Sequence, residues 1–130
     1  MKLYVEEEGS EAVVAAVARA ESACTVRVSY VEARAAFARH RREGALAAPD
    51  LRRLVRALDE DWSSYQVVDV SEGLVRRAGA LSERYALRAF DALQLAAALE
   101  IHRGGVAPEF VCFDAKLIRA ARRERLTLAL

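Results

Sequence analysis

Apolar positions change their period along this chain, and the changes mark its elements. "SEAVVAAVARAE" carries Ala and Val at helical spacing from Ser10. "CTVRV" alternates as a short strand, and "SYVEARAAFARHRREG" returns to helical spacing until Gly44 ends it. Pro49 and Asp50 open "LRRLVRALDEDW", and "QVVDV" is a second strand. Ser71 caps a helix running to about Tyr85, and a further helix spans Asp91 to about His102. After the loop "GGVAPE" come the strand "FVCF", the helix "DAKLIRAARRERL" and a terminal apolar run, "TLAL". Strands separated by helices predict a parallel sheet with helices on its faces, an α/β fold.

Composition narrows the picture only a little. With 130 residues, 54% hydrophobic and 30% charged, the chain is globular and of single-domain size, residues 1–130. Twenty basic residues face nineteen acidic ones, so overall charge selects no partner and any electrostatic signal is local. Only Lys2 and Lys116 are lysines; the other basic residues are Arg, a bias that a genome favouring Arg and Ala codons accounts for. Cys24 and Cys112 sit in β-like runs without a secretory leader, which points to packed, reduced thiols and a cytoplasmic protein. No apolar stretch is long enough to span a bilayer, so no membrane partner is expected.

The chemistry concentrates in three acids. Glu32 lies in the first turn of the helix after "CTVRV", Asp91 heads the apolar "ALQLAAALE" helix, and Asp114 follows "FVCF" directly. In open parallel sheets functional groups gather beyond the carboxyl ends of the strands, where helices begin. Acids 59 and 23 residues apart along the chain therefore have a common meeting place. Capping is the competing account of each. Ser29 and Glu32 form a capping-box pattern, and Asp91 and Asp114 suit helix starts, where a negative charge gains roughly 0.3–1 kcal/mol. Clustered carboxylates, in contrast, repel unless a counter-charge joins them. With no Cys/His set, that counter-charge is a hard divalent ion, Mg²⁺ or Mn²⁺, which suits phosphodiester hydrolysis.

At these residues the sequence resembles the PIN-domain nucleases, in particular the VapC-type toxins of bacterial toxin–antitoxin pairs. "KLYVEEEGSEAV" is similar to the segment after the family's first motif, and "VSYVEARAAFAR" to the second motif, with its Ser and Glu32. "LRAFDALQLAAAL" matches the third motif at Asp91, and "FVCFDAKLIRAARRERL" the fourth at Asp114. The resemblance implies a PIN-like three-layer α/β fold, with a short parallel sheet flanked by helices. It implies Mg²⁺- or Mn²⁺-dependent endonucleolytic cleavage of RNA, a homodimer, and a small antitoxin as protein partner. It assigns Glu32, Asp91 and Asp114 as catalytic metal ligands, with Ser29 behind them orienting a ligand or water.

One departure qualifies these expectations. The family opens with an apolar strand ending in an Asp-x-Ser-like motif, whose Asp is a principal metal ligand. This chain starts at "MKLYVEEEGS", about where that motif ends. The expectation is a fold lacking the family's first strand, with metal affinity and activity reduced and a sheet that rearranges or borrows a strand by dimerising. A start placed too late in the gene is the favoured cause. Glu6, Glu7 and Glu8 read as a solvated charge run rather than a substitute for the absent Asp.

Other features carry less. Arginines at 39, 41 and 42, at 52, 53 and 56, and at 119, 122, 123 and 125 suit an RNA backbone, but solvated helix faces with i,i+4 partners explain them without function. His40 and His102 lack metal-ligand spacing, and Trp62, Tyr65, Tyr85 and Phe90 read as core or dimer-contact aromatics. Ser63 and Ser64 belong to no nucleophile motif, and there is no Gly-rich phosphate loop. Two rivals to a ribonuclease follow: a non-catalytic, truncated PIN-like module that dimerises or binds an antitoxin, and an unrelated α/β domain whose acids are caps only.

Overall fold

The helical spacing of the apolar residues is realised in six helices among the described residues, joined by strands of two or three residues. The computed structural model describes residues 10–19, 23–106, 108–112 and 114–129. In chain order the elements are α1 (Ser10–Arg19), β1 (Cys24–Val26), α2 (Ser29–Arg42), α3 (Ala48–Trp62) and β2 (Gln66–Val68). They continue as α4 (Glu72–Tyr85), α5 (Ala89–Arg103), β3 (Glu109–Phe110), α6 (Ala115–Arg123) and β4 (Thr127–Leu128). Glu6, Glu7 and Glu8 lie outside the described residues.

The chain forms two compact units, Met1–Val67 and Val68–Leu130. In the first, α2 packs against α3. Tyr30 of α2 meets Trp62 of α3 edge-on, with centroids 5.4 Å apart, and its hydroxyl donates to Asp59 Oδ1 at 2.7 Å. Trp62 in turn meets Tyr65 edge-on at 6.1 Å. Trp62 and Tyr65, two of the aromatics expected in the core or at a dimer contact, are half-buried here and join Tyr30 at this helix–helix contact. Gly44 stops α2 as expected. It takes φ +80°, a conformation costly for residues with a Cβ, and lets the Ala45 N–H donate back to His40 O at 2.9 Å.

In the second unit α5 is the centre. Ala92, Leu95, Ala96, Ala97, Ala98 and Leu99 are all buried on it, so the helix is enclosed on most of its circumference. Its run of alanines keeps the surface low and lets α4 and α6 pack closely against it. Ser71 caps α4 by accepting the Leu74 N–H at 3.1 Å. Leu117, Ala120 and Ala121 form the buried face of α6.

The short strands expected of an α/β fold are present, as pairs rather than a continuous ladder. Among the described residues they form two separate pairs, β1 with β2 and β3 with β4. The β3–β4 pair is parallel, with Glu109 opposite Thr127 and Phe110 opposite Leu128. The strand expected over "FVCF" is displaced: Thr127 and Leu128 offer only two residues to pair with, so the ladder ends at Phe110 and Cys112 lies beyond it. Strands this short expose few ladder groups. The expectation of packed thiols fails for Cys24, which is exposed at the start of β1 with its thiol directed at Gln66 Oε1 at 3.3 Å.

Candidate active site

Glu32 sits in the first turn of α2 and is exposed. The capping box expected of Ser29 and Glu32 does not form. Val28 already has helical angles (φ −66°, ψ −12°), so Ser29 lies within the helix. The Glu32 amide is taken by Val28 O at 3.1 Å, and the Ser29 hydroxyl pairs with Thr25 Oγ1 at 2.6 Å. Glu32 therefore owes its place to something other than reciprocal capping.

Asp91 is the third residue of α5, within reach of the positive end of the helix dipole. The residue preceding the helix is Arg88, whose Nε donates to Asp91 Oδ2 at 3.4 Å. The Asp91 side chain is only 18% exposed whereas Arg88 is 83% exposed, so the carboxylate is pressed into the protein while its partner stays in solvent. Such a partly solvated pair contributes about 0–1 kcal/mol.

Asp114 does what its position suggested. It has extended angles (φ −75°, ψ 128°), and its Oδ1 accepts the Leu117 N–H at 3.0 Å, capping α6.

Asp91 and Asp114 have one neighbour in common, Cys112. Burial, first, pushes its thiol up to about 11, and the charges of Asp114 and then Asp91 push in the same direction. Both carboxylates thus lie within electrostatic reach of one sulfur, although 23 residues separate them in sequence. Sequence reasoning missed two neighbours here: Cys112, two residues before Asp114, and Arg88, three before Asp91. The i,i+3 spacing of Arg88 and Asp91 was a usable signal.

Among the described residues no group of three or more His, Cys, Asp or Glu side chains is arranged to hold a metal ion. The pair in the second unit still matches one kind of cation. Mg²⁺ keeps several waters and binds through one or two carboxylates plus substrate phosphates, so two oxygen-donating acids suit it without a complete protein cage.

The model of the PIN domain family matches residues 1–123. The chain belongs to the PIN domain family. Two relatives, Ribonuclease VapC45 and Ribonuclease VapC49 from two Mycobacterium tuberculosis strains (CDC 1551 / Oshkosh and ATCC 25618 / H37Rv), are each 31% identical to it over 106 residues. Each alignment covers 82% of this chain and 74% of the relative. Within its family this PIN domain is therefore of the VapC type. No helix of the described residues is long and apolar enough to cross a membrane.

Proposed function

We propose that this PIN domain, a single functional domain over residues 1–130, is the metal-dependent endoribonuclease of a bacterial toxin–antitoxin pair. It acts in the cytoplasm as a homodimer that a cognate antitoxin restrains. The observation that carries the proposal is the match to the PIN domain family and to relatives named ribonucleases, in a chain that sets Asp91 in the first turn of α5 and Asp114 at the head of α6.

Asp91 and Asp114 would hold Mg²⁺ or Mn²⁺, and the family resemblance assigns Glu32 to the same ligand set. Such an ion supplies positive charge to a phosphate oxygen and makes a water more acidic. The protein's part is positional. α5 presents Asp91 from a helix enclosed by packing, so its carboxylate moves little. The α6 cap orients Asp114, leaving Oδ2 clear of the bond that Oδ1 makes to the Leu117 amide. Ser29, bonded to Thr25, would steady the approach to Glu32.

The test is cleavage of single-stranded RNA that requires Mg²⁺ or Mn²⁺ and disappears in Asp91→Asn. Robust cleavage in EDTA would overturn the proposal. A second reading, a non-catalytic module that binds an antitoxin, is favoured by one observation: the lack of a three-residue metal group among the described residues. It requires calorimetry to register no heat of Mn²⁺ binding, even at millimolar ion.

A further inference from the structure

Solvated helix faces with local partners account for some arginines of this chain. Arg53 faces Asp50 at 3.0 Å on α3, and Arg76 faces Glu72 at 2.6 Å on α4, the i,i+3 and i,i+4 pairs that make a charged face self-sufficient. That account fails on α6, beside Asp114. Lys116, Arg119 and Arg122 recur at i, i+3 and i+6, all three are exposed, and none has an ion pair among the described residues. Glu124 is the only acid between Ala115 and Leu130. It is turned to α4, where it accepts the Tyr85 hydroxyl at 2.8 Å and faces Arg84 Nη1 at 3.7 Å. Lys116 also stands in the first turn of its helix, against the dipole. Like charges three apart repel as well, so the row is locally unfavourable and suits an anion supplied from beyond α6.

We propose that the row Lys116, Arg119 and Arg122 is a track for the sugar–phosphate backbone of single-stranded RNA, delivering it to Asp114 at the head of the same helix. This rests on the ribonuclease reading above. The row spans about 9 Å along the helix axis, enough for flexible basic side chains to reach more than one phosphate. Arg guanidinium forks match phosphate oxygens in pairs. The chemistry of the face favours a polyanion over a protein. Apart from Ala115, every exposed residue of α6 is a cation: Lys116, Arg119, Arg122 and Arg123. Protein interfaces are organised around buried aromatic or aliphatic anchors, and this face has none. Arg123 lies at the edge of the row, within electrostatic reach of Tyr85.

The test is anisotropy of a short fluorescein-labelled single-stranded RNA in EDTA, where cleavage cannot interfere, with salt varied from about 50 to 200 mM. Each cation that engages a phosphate of single-stranded RNA contributes about 0.7 to the slope of log Kd against log salt. The triple variant Lys116→Gln, Arg119→Gln, Arg122→Gln should therefore lose about 2 from that slope. Over the fourfold salt range its affinity should fall roughly fifteen-fold less than that of the unmutated chain. The double control Arg53→Gln, Arg76→Gln should keep the original slope. All substituted side chains are exposed, and circular dichroism melts of both variants should match that of the unmutated chain. An unchanged slope in the triple variant, or an equal fall in the control, overturns the track. So does an unchanged RNA slope combined with lost binding of polyglutamate, which assigns the face to an acidic protein. Mg²⁺-dependent cleavage with an unchanged slope removes the track and keeps the ribonuclease. A reduced slope without any cleavage by the unmutated chain keeps the track and removes the ribonuclease.

Discussion

Asp114 has two roles that different substitutions separate. Its Oδ1 caps α6 through the Leu117 amide at 3.0 Å, and its charge acts with that of Asp91 on the Cys112 thiol. Asp114→Ala removes both the acceptor and the charge. Loss of a cap costs about 0.5–2 kcal/mol. Asp114 is exposed, which allows water to replace part of the bond and places the cost near 1 kcal/mol. For a chain of this size that is roughly 3–5 °C in Tm. Asp114→Asn keeps an oxygen that can accept the same N–H, since Asn and Asp cap about equally well. It keeps the cap while removing only the charge, so its stability in EDTA should stay close to that of the unmutated chain. Divalent ion separates the variants further. At tenfold excess over Kd, Mn²⁺ should stabilise the unmutated chain by about 1.4 kcal/mol, and Asp114→Asn should lose most of that gain. Thermal melts of the three proteins, each in EDTA and in Mn²⁺, measure all of this. If Asp114→Asn melts as low as Asp114→Ala in EDTA and gains as much from Mn²⁺ as the unmutated chain, Asp114 is a helix cap and nothing more.

Two further expectations follow from titrating groups. With its thiol near 11, Cys112 is thiolate in only about one molecule in a thousand near pH 8, so iodoacetamide should label it slowly. Asp114→Asn should raise the labelling rate several-fold, and no change would mean the carboxylate does not act on the sulfur. Tyr85 is raised above its ordinary value by burial and then by its hydrogen bond to Glu124. A raised tyrosine contributes stability that is complete below the unfolded-state value near 10 and is lost as pH rises through the folded value. Tyr85→Phe should therefore cost about 1 kcal/mol in urea unfolding at neutral pH and remove that alkaline loss. Identical pH profiles for the two proteins would refute it.

The elements were largely legible because each depends on local rules. Periodicity located the six helices of the described residues, and Ser71, Gly44 and Asp114 mark helix ends by the stereochemistry expected of them. The capping box at Ser29 was misread because the pattern does not say where helical angles begin; they begin at Val28, one residue earlier. The sheet was the least legible part. "FVCF" has the composition of a four-residue strand, yet pairing depends on how much partner a distant segment supplies, and β4 supplies two residues. Of the site, the sequence named the acids but not their company. Arg88 was readable from its spacing to Asp91. That Asp91 acts on Cys112 as Asp114 does depends on how α5 and α6 pack, which no local pattern encodes.

That company bears on why a carboxylate stands at the head of so apolar a helix. At 18% side-chain exposure the Asp91 carboxylate is drawn partly out of water, which calls for compensating partners. The α5 dipole returns about 0.3–1 kcal/mol and the solvated Arg88 pair at most about 1. Asp114 is relieved separately, by its own helix and the Leu117 amide. Each of these compensations serves one acid and would work as well if the other were far away. None of them links the two acids, although both act on the Cys112 thiol. A divalent ion shared by both is the kind of compensation whose strength grows with their proximity, and it is the one the proposed site would supply. The cationic row on α6 extends the same logic, because an RNA phosphate brought beside two carboxylates adds a third negative charge. Cations along its path then offset the repulsion before the phosphate reaches Asp114.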